Sequence, residues 1–182
     1  ELLLLNERFE IIKENFTILK DKFNGQAINL LKQANNDTDK LVDLLIENFP
    51  SFRDIVEKDG KKYFFLKRAQ IFPSDISFVG IDELKLFNLE NLTVFADYKL
   101  PQILESFGVL KYTDELNQNI MNEDLIPAGS IKEIELRASS IIAIEKIHDE
   151  LIKLGRDITS GELDWILWVA AKSTKFAKPH HK

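Results

Sequence analysis

The chain has 182 residues, 45% of them hydrophobic, which is enough to bury one good core and by length suggests one domain spanning residues 1–182. It has no cysteine, which excludes a disulfide framework, a thiolate metal site and a cysteine nucleophile, and fits a reducing, cytoplasmic setting. A formal charge of −6 argues against a broad phosphate-backbone footprint, so no direct nucleic-acid binding is expected, while a few placed lysines and arginines suffice for a small anion.

The opening Glu1-Leu2-Leu3-Leu4-Leu5 has no basic n-region and its apolar run stops at Asn6, so neither a secretion signal nor a membrane span is expected. The first residue is not Met, and a native start upstream of Glu1 is expected. Leu5, Phe9, Ile12, Phe16, Leu19 and Phe23 recur at alternating four- and three-residue steps, predicting a helix with one apolar stripe that ends at Asn24-Gly25. That stripe is expected to pack on the protein's own core rather than to dock a partner helix. A shorter helix carries Ala27, Leu30 and Leu31 and is broken by Asn35-Asn36-Asp37. Leu41, Leu44 and Leu45 define the next, stopped by Phe49-Pro50. Lys58-Asp59-Gly60-Lys61 is a turn and a candidate small hairpin tip, with flanks too short to demand strands.

Tyr63 to Phe72 is an apolar, helical stretch with Lys67-Arg68 in its middle, and Pro73-Ser74-Asp75 punctuates it. Leu92 to Phe95 reads as a helical segment. Pro101 disfavours the α region at Leu100 and suits the first turn of a new helix over Gln102–Phe107, with Gly108 as its C′ residue. Thr113-Asp114-Glu115 is a helix start. Ser130 with Glu133 is a capping box for the longest late helix, which runs through Ile134, Ile141 and Leu151 to Gly155. Thr159 with Glu162 is a second capping box for the last helix. The pattern predicts an all-α protein.

Few motifs carry chemistry. The three histidines, His148, His180 and His181, lack partners at ligand spacing, so no metal site is expected. The seven glycines sit at helix ends and build no phosphate loop, and there is no serine nucleophile elbow. What remains is a set of polar residues inside apolar segments. Lys67 and Arg68 must face water or aim a cation at an anion. Glu133 completes a cap, which leaves Glu135 and Arg137 open. Asp164 stands beside Trp165 and four residues before Trp168, where it either compensates the helix dipole or serves a site. Asp97 sits at the Pro101 break between Phe95 and Tyr98. It is a functional carboxylate, or it caps the following helix or pairs with a lysine.

Several blocks together resemble the queuosine salvage protein family. They are Phe49-Pro50-Ser51-Phe52-Arg53-Asp54, Phe65-Leu66-Lys67-Arg68-Ala69-Gln70-Ile71, and Phe95-Ala96-Asp97-Tyr98-Lys99-Leu100-Pro101-Gln102. Gly108-Val109-Leu110-Lys111-Tyr112, Glu133-Ile134-Glu135-Leu136-Arg137, Leu163-Asp164-Trp165-Ile166-Leu167-Trp168 and Pro179-His180-His181-Lys182 continue the match in order. Family members are longer, with an N-terminal region carrying an Asn-Phe-x-Phe-Trp block that this chain lacks.

The resemblance implies an all-helical fold related to helix-hairpin-helix DNA glycosylases. It implies hydrolysis of the N-glycosidic bond of queuosine 5′-monophosphate, releasing queuine for reuse in transfer RNA modification, with no cofactor or metal. Cleaving such a bond builds positive charge on the ribose at C1′. A 7-deazaguanine base lacks the ring nitrogen whose protonation helps a purine leave. More of the barrier therefore falls to a fixed carboxylate in a dry site. By motif position, the resemblance implies Asp97 as that catalytic carboxylate, as electrostatic stabiliser or nucleophile. It implies Asp164 at the base or its cationic side arm and Lys67 at the ribose or 5′-phosphate. Arg137 and His181 follow as phosphate contacts, and Tyr98 and Trp168 as stacking partners of the base. The competing readings are a non-catalytic binding module for a deazapurine nucleotide, a glycosylase acting on a flipped base, and a helical interaction domain.

Overall fold

Helix dominates, and most helix boundaries follow capping chemistry written in the sequence. The computed structural model describes residues 3–173. Its contacts divide into two units, one of Glu1–Asp54 with Arg68–Asn91 and one of Ile55–Lys67 with Leu92–Lys182.

In the first unit, α1 (Leu5–Phe23) ends where Asn24 and Gly25 turn left-handed, with the Gly25 N–H on the Leu19 carbonyl. Next come α2 (Ile28–Gln33) and α3 (Thr38–Asn48), the latter capped by Asp37 on the Lys40 N–H. Phe23, Leu30, Leu31, Leu41, Leu45 and Phe49 are buried, and the Phe23 and Phe49 rings stack at 5.9 Å. Thr38 donates its hydroxyl to the Phe87 carbonyl at 2.6 Å, tying the later loop back to α3. Only the C-terminal end of the α1 stripe packs on this core: Phe23 is buried, while Leu5, Phe9, Ile12 and Phe16 are 53–69% exposed. Glu14 and Asn15 of the same helix accept from Ser51, at 3.0 Å from its N–H and 3.1 Å from its hydroxyl.

The protein is mostly helical rather than all-α. In the second unit, β1 (Ile55–Lys58) and β2 (Lys61–Phe64) pair antiparallel, Ile55 opposite Phe64 and Lys58 opposite Lys61. Asp59 and Gly60 both take positive φ, the conformation a two-residue hairpin turn requires. Helix α4 (Lys67–Ser77), which from Arg68 onward belongs to the first unit, continues through Pro73 instead of stopping before it.

Leu92–Phe95 takes no regular secondary structure rather than forming the expected helical segment. Leu92, Val94, Phe95 and Ala96 are all buried, and a short run buried on every side shows no periodicity from which to choose. Helix α5 (Lys99–Ser106) starts before Pro101, with Leu100 already helical. Asp97 accepts the Lys99 and Leu100 N–H groups, satisfying the donors of the first turn, where Pro101 needs none. After α6 (Asp114–Met121), capped by Thr113, come α7 (Ile131–Lys153) and α8 (Ser160–Ser173). Thr159 and Glu162 form the full predicted capping box, whereas at α7 Ser130 accepts the Glu133 N–H and the Glu133 carboxylate takes the Gly129 N–H instead of that of Ser130. Val94, Leu100, Ile103, Leu104, Ile144, Leu163 and Ala171 form the main core among α5, α7 and α8. Phe65, Ala96 and Ile134 form a smaller one against the hairpin residues Val56 and Tyr63. No helix among the described residues is long and apolar enough to cross a membrane.

Candidate functional site

The irregular segment between Leu92 and Tyr98 has no helix or ladder to pair its backbone groups, and side chains take up several of them. Asp164, from α8, accepts the Phe95 N–H at 2.8 Å. Arg137, from α7, donates its Nε–H to the Ala96 carbonyl at 3.2 Å. Asp97 follows, fixed by its own capping bonds from Lys99 at 2.7 Å and Leu100 at 3.1 Å, both to Oδ1. Its other oxygen, Oδ2, lies 3.7 Å from Lys67 Nζ. The two bland readings of Asp97, helix cap and lysine partner, thus both hold in one side chain. They leave the carboxylate oriented and only 10% exposed.

Lys67 is the first residue of α4, and its side chain is 32% exposed. Leu66 before it takes φ +50°, a left-handed turn between strand and helix that costs a leucine roughly 1–2 kcal/mol. The neighbouring Arg68 goes elsewhere, to the Ser51 carbonyl at 3.1 Å with its guanidinium 4.7 Å from the Phe52 ring centre. The cationic pair is thus split, Lys67 to a carboxylate and Arg68 to a carbonyl and an aromatic face.

Asp164 is 7% exposed. Burial pushes its pKa up to about 7, helped by the charge of Asp97 and opposed by the Phe95 N–H and by Lys67. Two carboxyl groups and one ammonium therefore feel one another in a largely dry setting. One carboxylate is fixed by its backbone partners, and the other, with its pKa pushed up to about 7, is close to half-protonated at neutral pH. That is the separation of roles that acid–base and charge-stabilising chemistry uses.

The remaining expected residues are less concentrated. Arg137 is 9% exposed; its Nη1 meets Glu133 Oε1 at 3.0 Å and its plane covers the Phe65 ring at 4.0 Å. Tyr98 is exposed, with Lys99 Nζ 5.7 Å from its ring centre. Trp168, one turn beyond Asp164, is half-buried, edge-on to Trp165 at 5.4 Å, with Lys172 Nζ at 3.5 Å from its ring centre. His181 lies outside the described residues. Among the described residues, no group of three or more His, Asp or Glu is placed to hold a metal.

Sequence reasoning missed Glu133 and Phe65, which hold the Arg137 guanidinium. The spacing of Glu133 and Arg137, four residues apart on one helix, was a signal for their pairing. Nothing local marked the tie to Ala96, 41 residues away.

The family model described as queuosine salvage protein matches residues 1–182. A relative from Dictyostelium discoideum is 39% identical over 180 residues, covering 97% of this chain and 56% of its own length. Relatives from Sphaerobacter thermophilus and Mus musculus are each 38% identical, over 170 and 178 residues, covering 92% and 93% of this chain and 53% of their own lengths. All three are named queuosine 5′-phosphate N-glycosylase/hydrolase. The chain spans about half the length of these curated relatives.

Proposed function

The chain belongs to the queuosine salvage protein family, and from that membership we propose that it hydrolyses the N-glycosidic bond of queuosine 5′-phosphate, with Asp97 as the carboxylate at the reacting sugar. The bond from C1′ to the base breaks, a water oxygen bonds to C1′, and a proton from that water ends on the released queuine. The observation that carries this reading is the orientation of Asp97: Oδ1 is spent on two backbone N–H groups and Oδ2 faces Lys67 in a site only 10% exposed on the carboxylate side. A carboxylate held this way needs little reorganisation as positive charge grows on the ribose.

Lys67 is the proposed anchor for the ribose or the 5′-phosphate, and Asp164 the contact to the base or its amine side arm. Tyr98 and Trp168 are proposed to stack on the base, and Arg137 and His181 to be phosphate contacts. The proposal extends to residues 1–182 acting as one domain, to kinship with helix-hairpin-helix DNA glycosylases, to a cytoplasmic setting and to reuse of the product in transfer RNA modification. It invokes no cofactor.

The test is mass-spectrometric detection of free queuine after incubation with queuosine 5′-monophosphate, with Asp97→Asn in parallel. Queuine from the wild type and a loss of about 100-fold or more in Asp97→Asn is the expected result. Equal turnover by Asp97→Asn removes that residue from the mechanism. The alternative is a non-catalytic binding module for a deazapurine nucleotide. Tight ligand binding with no product would select it.

A further inference from the structure

A buried guanidinium can be there for stability, for ligand, or for geometry, and its partners separate these. The Arg137 side chain is only 11% exposed and engaged on three sides. Its Nε–H goes to the Ala96 carbonyl, its Nη1 to Glu133, and its flat face to the Phe65 ring. Glu133 is itself fixed, because its second oxygen accepts the Gly129 N–H at 2.9 Å at the start of α7. Ala96 immediately precedes Asp97, and Phe65 stands two residues before Lys67. One cation therefore braces both chain segments that meet in the Lys67–Asp97 pair. A buried ion pair is a weak device for stability, since apolar residues of the same volume often serve as well, but a planar fork fixes direction.

We propose that Arg137 and Glu133 are positioning residues of the candidate site: the pair locks the Ala96 carbonyl and the Phe65 ring, and so sets the approach of Asp97 to Lys67. This rests on the reading of Asp97 given above, and it replaces the phosphate-contact role of Arg137 with an indirect one. Lysine cannot reproduce the fork, so Arg137→Lys leaves the charge and loses the geometry. Glu133→Gln keeps an oxygen for the Gly129 N–H and removes the charge that orients Arg137.

The experiment compares Arg137→Lys, Glu133→Gln and Asp97→Asn in queuine release, with backbone amide exchange measured on the same proteins. Both positioning variants are expected to lower kcat about ten- to a hundred-fold with KM within about two-fold, the signature of a misplaced group. Exchange of the Lys99 and Leu100 amides, which Asp97 holds, is expected to rise about ten-fold in both. A raised KM for the nucleotide but not the nucleoside, with kcat kept, returns Arg137 to the phosphate and overturns the proposal. So does unchanged kcat in both variants while Asp97→Asn is inactive. If Asp97→Asn turns over normally, the reading of Asp97 fails instead. With no turnover by the wild type, unchanged amide exchange in Glu133→Gln overturns the proposal by itself.

Discussion

Asp164 is the side chain whose chemistry depends most on its surroundings. Its pKa stands at about 7 in the folded chain against an ordinary 3.8, because burial disfavours the ionised form and Asp97 adds like charge. The sign follows from proton counting. Between those two values the folded state holds the proton and the unfolded state does not. The stability that Asp164 contributes is thus full below about pH 4 and is lost as pH rises through about 7. Asn at this position keeps an oxygen for the Phe95 N–H and cannot ionise. Asp164→Asn is therefore expected to flatten the decline in stability between pH 4 and pH 8, by a difference on the order of 4 kcal/mol, in urea unfolding across that range. Equal slopes for both proteins would mean the carboxyl is not protonated there. The candidate residues stand out in the sequence as polar residues in apolar words. Their pairing was not, because Asp97 meets Lys67 and Asp164 only through folding.

At the scale of elements, legibility tracked capping. Thr113, Ser130 and Thr159 each receive the hydrogen bond their position predicts, so three helix starts could be read directly. Where tertiary satisfaction replaced local signals, the sequence misled. The 92–98 segment is irregular, with Asp164 and Arg137 on its Phe95 N–H and Ala96 carbonyl, and α1 buries only Phe23 of its stripe while Glu14 and Asn15 accept from Ser51. The hairpin turn was visible as Asp59-Gly60, but strands of four residues carry too few alternations to register. Ser130 gives the element-scale prediction. Its hydroxyl accepts the Glu133 N–H at 3.3 Å, and Glu133 in turn supports Arg137. Ser130→Ala is expected to cost about 1 kcal/mol in denaturant unfolding. Ser130→Gly should lose only a few tenths of that, and an alanine cost near zero would show that the cap is idle.

At the scale of the molecule, net charge and contact distance set what the protein does with its surroundings and how it comes together. The formal charge of −6 repels a polyanion, so no salt-sensitive retardation of transfer RNA is expected at physiological ionic strength. A mobility shift that fades between 50 and 200 mM salt would contradict this and bring back a nucleic-acid substrate. The Asp164 bond to Phe95 joins residues 69 positions apart. Helix α5 and its Asp97 cap form from neighbours within a few residues, but the second carboxyl arrives only when a long loop closes. On a ribosome adding roughly 5–20 residues per second, Asp97 is made about 3 to 13 s before Asp164. For that interval the nascent chain carries an Asp97 that holds its helix, with no second acid to share the site. The candidate site is complete only once α8 has been made.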